Sequence, residues 1–231
     1  MKLIKSQVVF NPDEHTYMLG DKELSGITSV IGRQLFPDKY RDVPEDVLRK
    51  AAERGTMIHS ICELVDDIGI THDSDEAQGY KELKDDWGLR YECSEYLVSD
   101  NEHYASCIDK VYRENDTDFT LGDIKTTYVL DKESVRWQLS IYAYLFELQN
   151  PGCNAVRLIG IWLRGKNHEI VEVERIPSEI VINLLKCDSE GRQFVNPYSI
   201  SPVTLPDEYR KMERTIQEIV SQPKYWSDKK K

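Results

Sequence analysis

From Tyr91 to Thr127 the hydrophobic pattern changes to a period near two, and that run constrains the fold more than any other feature of the sequence. A period of two describes strands that turn one face to a core. Turn-forming residues interrupt the run at 99–102 and 114–118, so ECSEYLVSDNEHYASCIDKVYRENDTDFTLGDIKTT divides into three strands. The next stretch, DKESVRWQLSIYAYLFELQNPG, changes to helical spacing. Asp131 is placed to cap it, Trp137, Ile141, Leu145 and Leu148 form one stripe, and Pro151–Gly152 stop it. AVRLIGIWLRG and HEIVEVERI supply two further strands. Strands, a helix and more strands predict a single central sheet with helices packed on it.

The flanking segments are less constrained. VVFNPDEHTYMLGDKELSG, with Asn-Pro-Asp and Gly-Asp-Lys turn signals, predicts an N-terminal β-hairpin, and Thr28 or Ser29 caps a short helix in ITSVIGRQLF. Val47, Ala51, Ile58, Ile61, Leu64, Val65 and Ile68 then repeat at helical spacing between Pro44 and Gly69. Gly55 interrupts this segment, leaving open two helices or one helix in close backbone contact with a neighbour. EAQGYKELKDDW predicts another helix and PDEYRKMERTIQEIVSQ a closing one.

The expected fold is therefore α/β: a central mixed β-sheet flanked by helices, with an N-terminal β-hairpin and a C-terminal helix. We expect one domain over residues 1–231, with hairpin and helices in 1–90, a core in 91–175 and a helical extension in 176–231. At 40% hydrophobic residues the chain can bury an ordinary core. Five scattered cysteines without a C-x-x-C pair suit reduced thiols and argue against a zinc ribbon or a four-cysteine iron–sulfur cluster. No signal-peptide pattern and no apolar run of membrane-spanning length occur, so the expectation is a cytoplasmic protein with no membrane partner. The balance of 41 acidic against 30 basic residues opposes binding to nucleic acid through overall charge. It leaves room for a local basic groove or for carboxylates around a divalent cation.

The candidate chemistry centres on GDIKTT, residues 122–127. In a strand Asp123 and Lys125 project from one face and Ile124 from the other. If the preceding strand returns through a turn centred near Asp116, Asp109 faces Asp123. Facing carboxylates repel, so such a pair is retained most readily around a divalent cation, and oxygen donors suit Mg²⁺ or Mn²⁺. Gln138 and Tyr142, four apart on the following helix, can both point back to that edge. His59 and Glu63 share a face upstream in the same way.

A G-x-x-x-H helix (Gly55, His59), a strand bearing Ile108-Asp109, a strand bearing Asp123-Ile124-Lys125-Thr126, and a helix bearing Gln138 and Tyr142 resemble the RecB-type branch of the PD-(D/E)xK nuclease superfamily. HTYMLGDKELSGITSVI is similar to the opening of the phage and mitochondrial exonucleases of this branch. These motifs span residues 15 to 142. The resemblance implies a restriction-endonuclease-like core in which Asp109, Asp123, the carbonyl of Ile124 and His59 bind the metal. It also implies that Lys125 helps activate a water, and that Gln138 and Tyr142 support the site or contact the DNA backbone. A first-strand glutamate belongs to the pattern; Glu92 and Glu95 are both available, with Glu95 preferred. The chain departs from the pattern at Ser106-Cys107, where the family has a glycine, and it lacks the four cysteines of the cluster-bearing members.

The expected activity is that of a metal-dependent DNase, an exonuclease working from DNA ends in replication, recombination or repair, using Mg²⁺ or Mn²⁺ and no iron–sulfur cluster. Arg54, Thr126, Thr127 and Arg136 are the candidate DNA contacts. A phage source would place the enzyme in the host cytoplasm and make a single-strand annealing or other recombination protein its partner. The alternative is an inactive nucleic-acid-binding or assembly protein that keeps the fold. A restriction-type endonuclease is disfavoured because no separate recognition domain is visible.

Overall fold

The computed structural model describes residues 2–12, 14–69 and 73–198. The chain divides into two compact units, Met1–Phe194 and Val195–Lys231. The second is described only at 195–198, so the closing helix expected after Leu205 lies outside the described residues. All the described elements and the site belong to the first unit.

Its elements run β1 (Val9–Asn11), β2 (Thr16–Leu19), β3 (Lys22–Gly26), α1 (Ile27–Leu35), α2 (Glu45–Ile68), α3 (Asp75–Asp86), β4 (Tyr91–Ser99), β5 (Tyr104–Arg113), β6 (Asp118–Lys125), α4 (Lys132–Gln149), β7 (Asn154–Arg164), β8 (Asn167–Glu172) and α5 (Ser178–Ser189). The strands form one mixed sheet in the order β1-β2-β3-β5-β6-β7-β8, with β4 paired to the other edge of β5. The central α/β architecture expected from the period-two run is present. Its N-terminal end is a three-stranded meander rather than a single hairpin, because Gly20, at φ +58, closes a second tight turn.

Both faces of the sheet are covered. On one side Ile58, Ile61, Cys62 and Val65 of α2 and Tyr80 and Leu83 of α3 pack on Tyr112, Ile124, Ile159, Ile161 and Ile170. On the other lies α4, capped by Asp131, whose side chain accepts from the amide of Ser134. Ten of its residues are buried, Trp137, Ile141 and Leu145 completely, whereas Leu148 is exposed. Helices α1 and α5 pack on the outside of α4.

The helices differ from expectation in three places. Neither Thr28 nor Ser29 caps α1; Gly26 is the N-cap and both residues lie in the first turn. Helix α2 is continuous through Gly55, where an added Cβ would meet only Thr126 Oγ1 at an ordinary 3.7 Å, so no close backbone approach is needed. Val47, Leu64 and Ile68 face solvent, because α2 overhangs the sheet and buries its stripe only between Ile58 and Val65. Gly69 ends it in the left-handed conformation, as a C-cap glycine does.

Register positions the chemistry. Strand β5 pairs with β6 only from Lys110↔Gly122 to Arg113↔Phe119, while β6 stays paired with β7 as far as Lys125↔Trp162. On the same edge of β5, β3 takes over at Tyr104 and Ala105. Strands β5 and β6 therefore separate beyond Lys110↔Gly122, leaving an opening in the sheet at Asp109 and Asp123.

Candidate metal centre and cleft

Asp109 and Asp123 occupy the next facing positions beyond the last β5–β6 pair, in the register expected for a turn centred near Asp116. Where a ladder bond would have formed, the amide of Ile124 donates to Asp109 Oδ2 at 2.6 Å. On the other edge of β5, Ser94↔Lys110 and Tyr96↔Ile108 bracket Glu95 and set it opposite Asp109. Three carboxylates thus stand in a row across β4, β5 and β6. Glu95 adopts φ +47, a left-handed conformation inside a strand, which costs about 1–2 kcal/mol for a residue with a Cβ. Strain of this kind persists where the surrounding structure imposes it, commonly at functional sites. Glu92, the other first-strand candidate, is held in a two-pronged ion pair by Arg113 instead.

His59 reaches the row from α2. Its Nε2 lies 3.2 Å from the Ile124 carbonyl and 3.7 Å from Asp109 Oδ2, and its Nδ1 lies 3.8 Å from Glu95 Oε1. One donor atom each from His59, Glu95 and Asp109 falls within 4.8 Å of the others. From the α4 side, Gln138 donates to Asp123 Oδ1 at 2.7 Å and to the Tyr142 hydroxyl at 2.6 Å, and accepts from Lys125 Nζ at 3.0 Å. Lys125 Nζ is also 2.7 Å from Asp123 Oδ2, so the ammonium is this buried oxygen's partner.

The electrostatics reflect crowded negative charge. Burial pushes the Asp109 carboxyl up to about 7, against the opposing pull of the His59 charge. Burial would lower the His59 imidazole, but the charges of Asp109, Glu95 and Asp123 outweigh it and hold it at about 9. Lys125 is raised in the same way, the attraction of Asp123 and Asp109 exceeding the cost of burial. The donor set fits a divalent cation on two counts: His59, Glu95 and Asp109 each offer a donor atom within reach of the others, and the imidazole lies beside the Ile124 main-chain carbonyl, with Asp123 in the same cleft.

These groups line a cleft of about 590 Å³ together with Thr28, Gly55, Thr56, Glu63, Ser106 and Cys107. The cleft brings together His59, Glu95, Asp109, Asp123, Ile124, Lys125, Gln138 and Tyr142. It does not bring in Arg54, which is engaged by Glu76, or Arg136, which donates to the Glu174 carbonyl. The Thr126 and Thr127 carbonyls accept from Arg164 and Trp162, which fixes the loop after Lys125. Sequence reasoning missed two features. Cys107 donates to Glu95 Oε2 at 3.1 Å, so this thiol props a member of the carboxylate row. On the opposite sheet face Lys110 is fully buried, bonded to Asp66 at 2.8 Å and Ser94 at 2.7 Å, directly behind the site. A lysine amid an apolar strand was the available signal.

No family model matches the chain, and neither does any curated protein. Among solved structures, the crystal structure of SSO0001 is 15% identical over 82% of this chain and 89% of that one, with a TM-score of 0.45. An alkaline exonuclease (LHK-Exo) from Laribacter hongkongensis is 10% identical over 85% of this chain and 94% of that one, with a TM-score of 0.43. Likeness at that level carries no argument about this chain, whose site stands on its own geometry.

Proposed function

We propose that the chain is a metal-dependent DNA nuclease, an exonuclease that hydrolyses phosphodiester bonds from DNA ends with Mg²⁺ or Mn²⁺. The observation that carries this reading is the opening between β5 and β6, where Glu95, Asp109, Asp123, His59 and the Ile124 carbonyl converge beside Lys125. The sequence resemblance to PD-(D/E)xK nucleases points the same way.

Asp109, Asp123, Glu95, His59 and the Ile124 carbonyl would hold the cation, which when bound supplies Lewis-acid polarisation of the scissile phosphate and a more acidic water. Lys125 places an ammonium at the cleft wall, where it can orient a water and offset charge on a phosphate oxygen. Gln138 fixes Lys125 and Asp123 relative to each other and is in turn held by Tyr142. Glu95 Oε1, 3.8 Å from His59 Nδ1, also sets a carboxylate charge beside the imidazole. A formal charge of −11 limits non-specific adhesion to nucleic acid, so binding must be local to the cleft.

The test uses end-labelled single- and double-stranded DNA, linear and covalently closed, with Mg²⁺ or Mn²⁺. Linear DNA should be degraded, chelation should stop it, and closed circles should survive. Equal cutting of circles would make the enzyme an endonuclease. Intact DNA of every form with both metals would leave a non-catalytic binding or assembly protein as the reading.

A further inference from the structure

A second, smaller cavity of about 210 Å³ adjoins the cleft between α1 and α4, and Thr28, Lys125 and Gln138 line both. We propose that it is a slot for a single unpaired terminal nucleobase, so that the strand end is held on one side of Lys125 while its phosphate lies on the other. The proposal rests on the nuclease reading and adds to it the state of the substrate: an end whose last base is unpaired.

The walls of the slot match such an occupant. Ile31, Phe36, Tyr40 and Val135 give it apolar surface, beside the polar Thr127 and Ser134 and the charged Lys39, Lys125 and Asp131. Lys39 Nζ sits 5.4 Å from the centroid of the Phe36 ring and 5.7 Å from that of Tyr40, giving an aromatic wall with a cation against it. Every base has a π-face, so such a wall accepts bases with little regard to sequence. An anion is a poorer occupant, because the Lys39 charge is already paired at 2.6 Å with Asp131. Pockets for whole drug-sized ligands run to about 300–1,000 Å³; this slot takes one ring system and excludes a base pair. Tyr40, 54% exposed, lines the slot with part of its ring open to solvent.

The test uses single-stranded oligonucleotides carrying 2-aminopurine at the 5′ end, the 3′ end or an interior position, with Ca²⁺ in place of the reactive metals. Fluorescence is read beside anisotropy of the same complexes. The expected result is quenching confined to one terminal label, kept in Tyr40→Phe, and a complex weakened about tenfold in Tyr40→Ala, the scale of one lost base stack. Tyr40 is exposed enough that its loss spares the fold, and Phe36→Ala gives a second, deeper probe of the same wall. Binding by anisotropy with no terminal quenching, or quenching untouched in both alanine variants, overturns the slot. Hydrolysis of linear DNA by the same preparation with Mg²⁺ or Mn²⁺ is scored separately: cleavage without quenching removes the slot alone, and neither binding nor cleavage removes both readings.

Discussion

The residues at the opening between β5 and β6 form an ordered chain of dependence. Tyr142 holds Gln138, Gln138 holds Asp123 and Lys125, and Asp109 is fixed by the Ile124 amide. Gln138→Leu keeps the side-chain bulk and removes all three bonds of the amide group. We expect a folded protein whose metal affinity or cleavage rate falls about 10–100-fold, as for other supporting partners of metal ligands, measured by calorimetric metal titration and steady-state kinetics. His59→Ala should fold, with metal binding at least about tenfold weaker and cleavage largely lost. A lowered melting temperature with unchanged metal affinity per folded molecule would instead make His59 a packing residue. Behind the site, Asp66→Ala strands the buried Lys110 and should cost about 3–5 kcal/mol in urea unfolding. The metal-site positions are legible in the sequence because they recur as short motifs at fixed offsets. The Asp66–Lys110 pair is not: Lys110 stands out in an apolar strand, but its partner on α2 is distant in sequence and no local pattern names it.

Among the elements, the β5–β6 turn is legible because its two strands are neighbours in sequence, and the register follows from the turn centre. The separation of those strands is not: it arises from the parallel pairing of β6 with β7 and of β3 with β5, both long-range. Gly122 lies at the end of the β5–β6 ladder, where a Cβ would meet Ile161 at 3.2 Å, Tyr112 at 3.2 Å and Lys110 at 3.3 Å. Gly122→Val should therefore destabilise the protein by about 1–3 kcal/mol through overpacking, seen in thermal and denaturant melts. Helix α5 lies within the helical extension expected over 176–231, although no motif set its bounds, and it attaches to α1 through Asp188. Burial raises the Asp188 carboxyl, but Arg33, Gln34 and the Tyr104 hydroxyl outweigh it and leave it below its ordinary 3.8. A depressed folded value contributes stability above the unfolded value, and that contribution disappears as pH falls through the folded one. Asp188→Asn should accordingly flatten the acid limb of the stability-versus-pH curve below about pH 4, as followed by circular dichroism.

For the whole molecule, an acidic chain carries a cleft whose carboxylates are drawn to the charges of His59 and Lys125. A divalent cation would join them, and the nuclease reading depends on it. The most direct measurement is an anomalous-difference map from crystals of the protein soaked in Mn²⁺. We predict a peak in the opening between β5 and β6, bounded by Asp109, Asp123 and the Ile124 carbonyl and lost in Asp123→Asn. A cleft that stays without a peak at Mn²⁺ concentrations that fill another position on the molecule would contradict it.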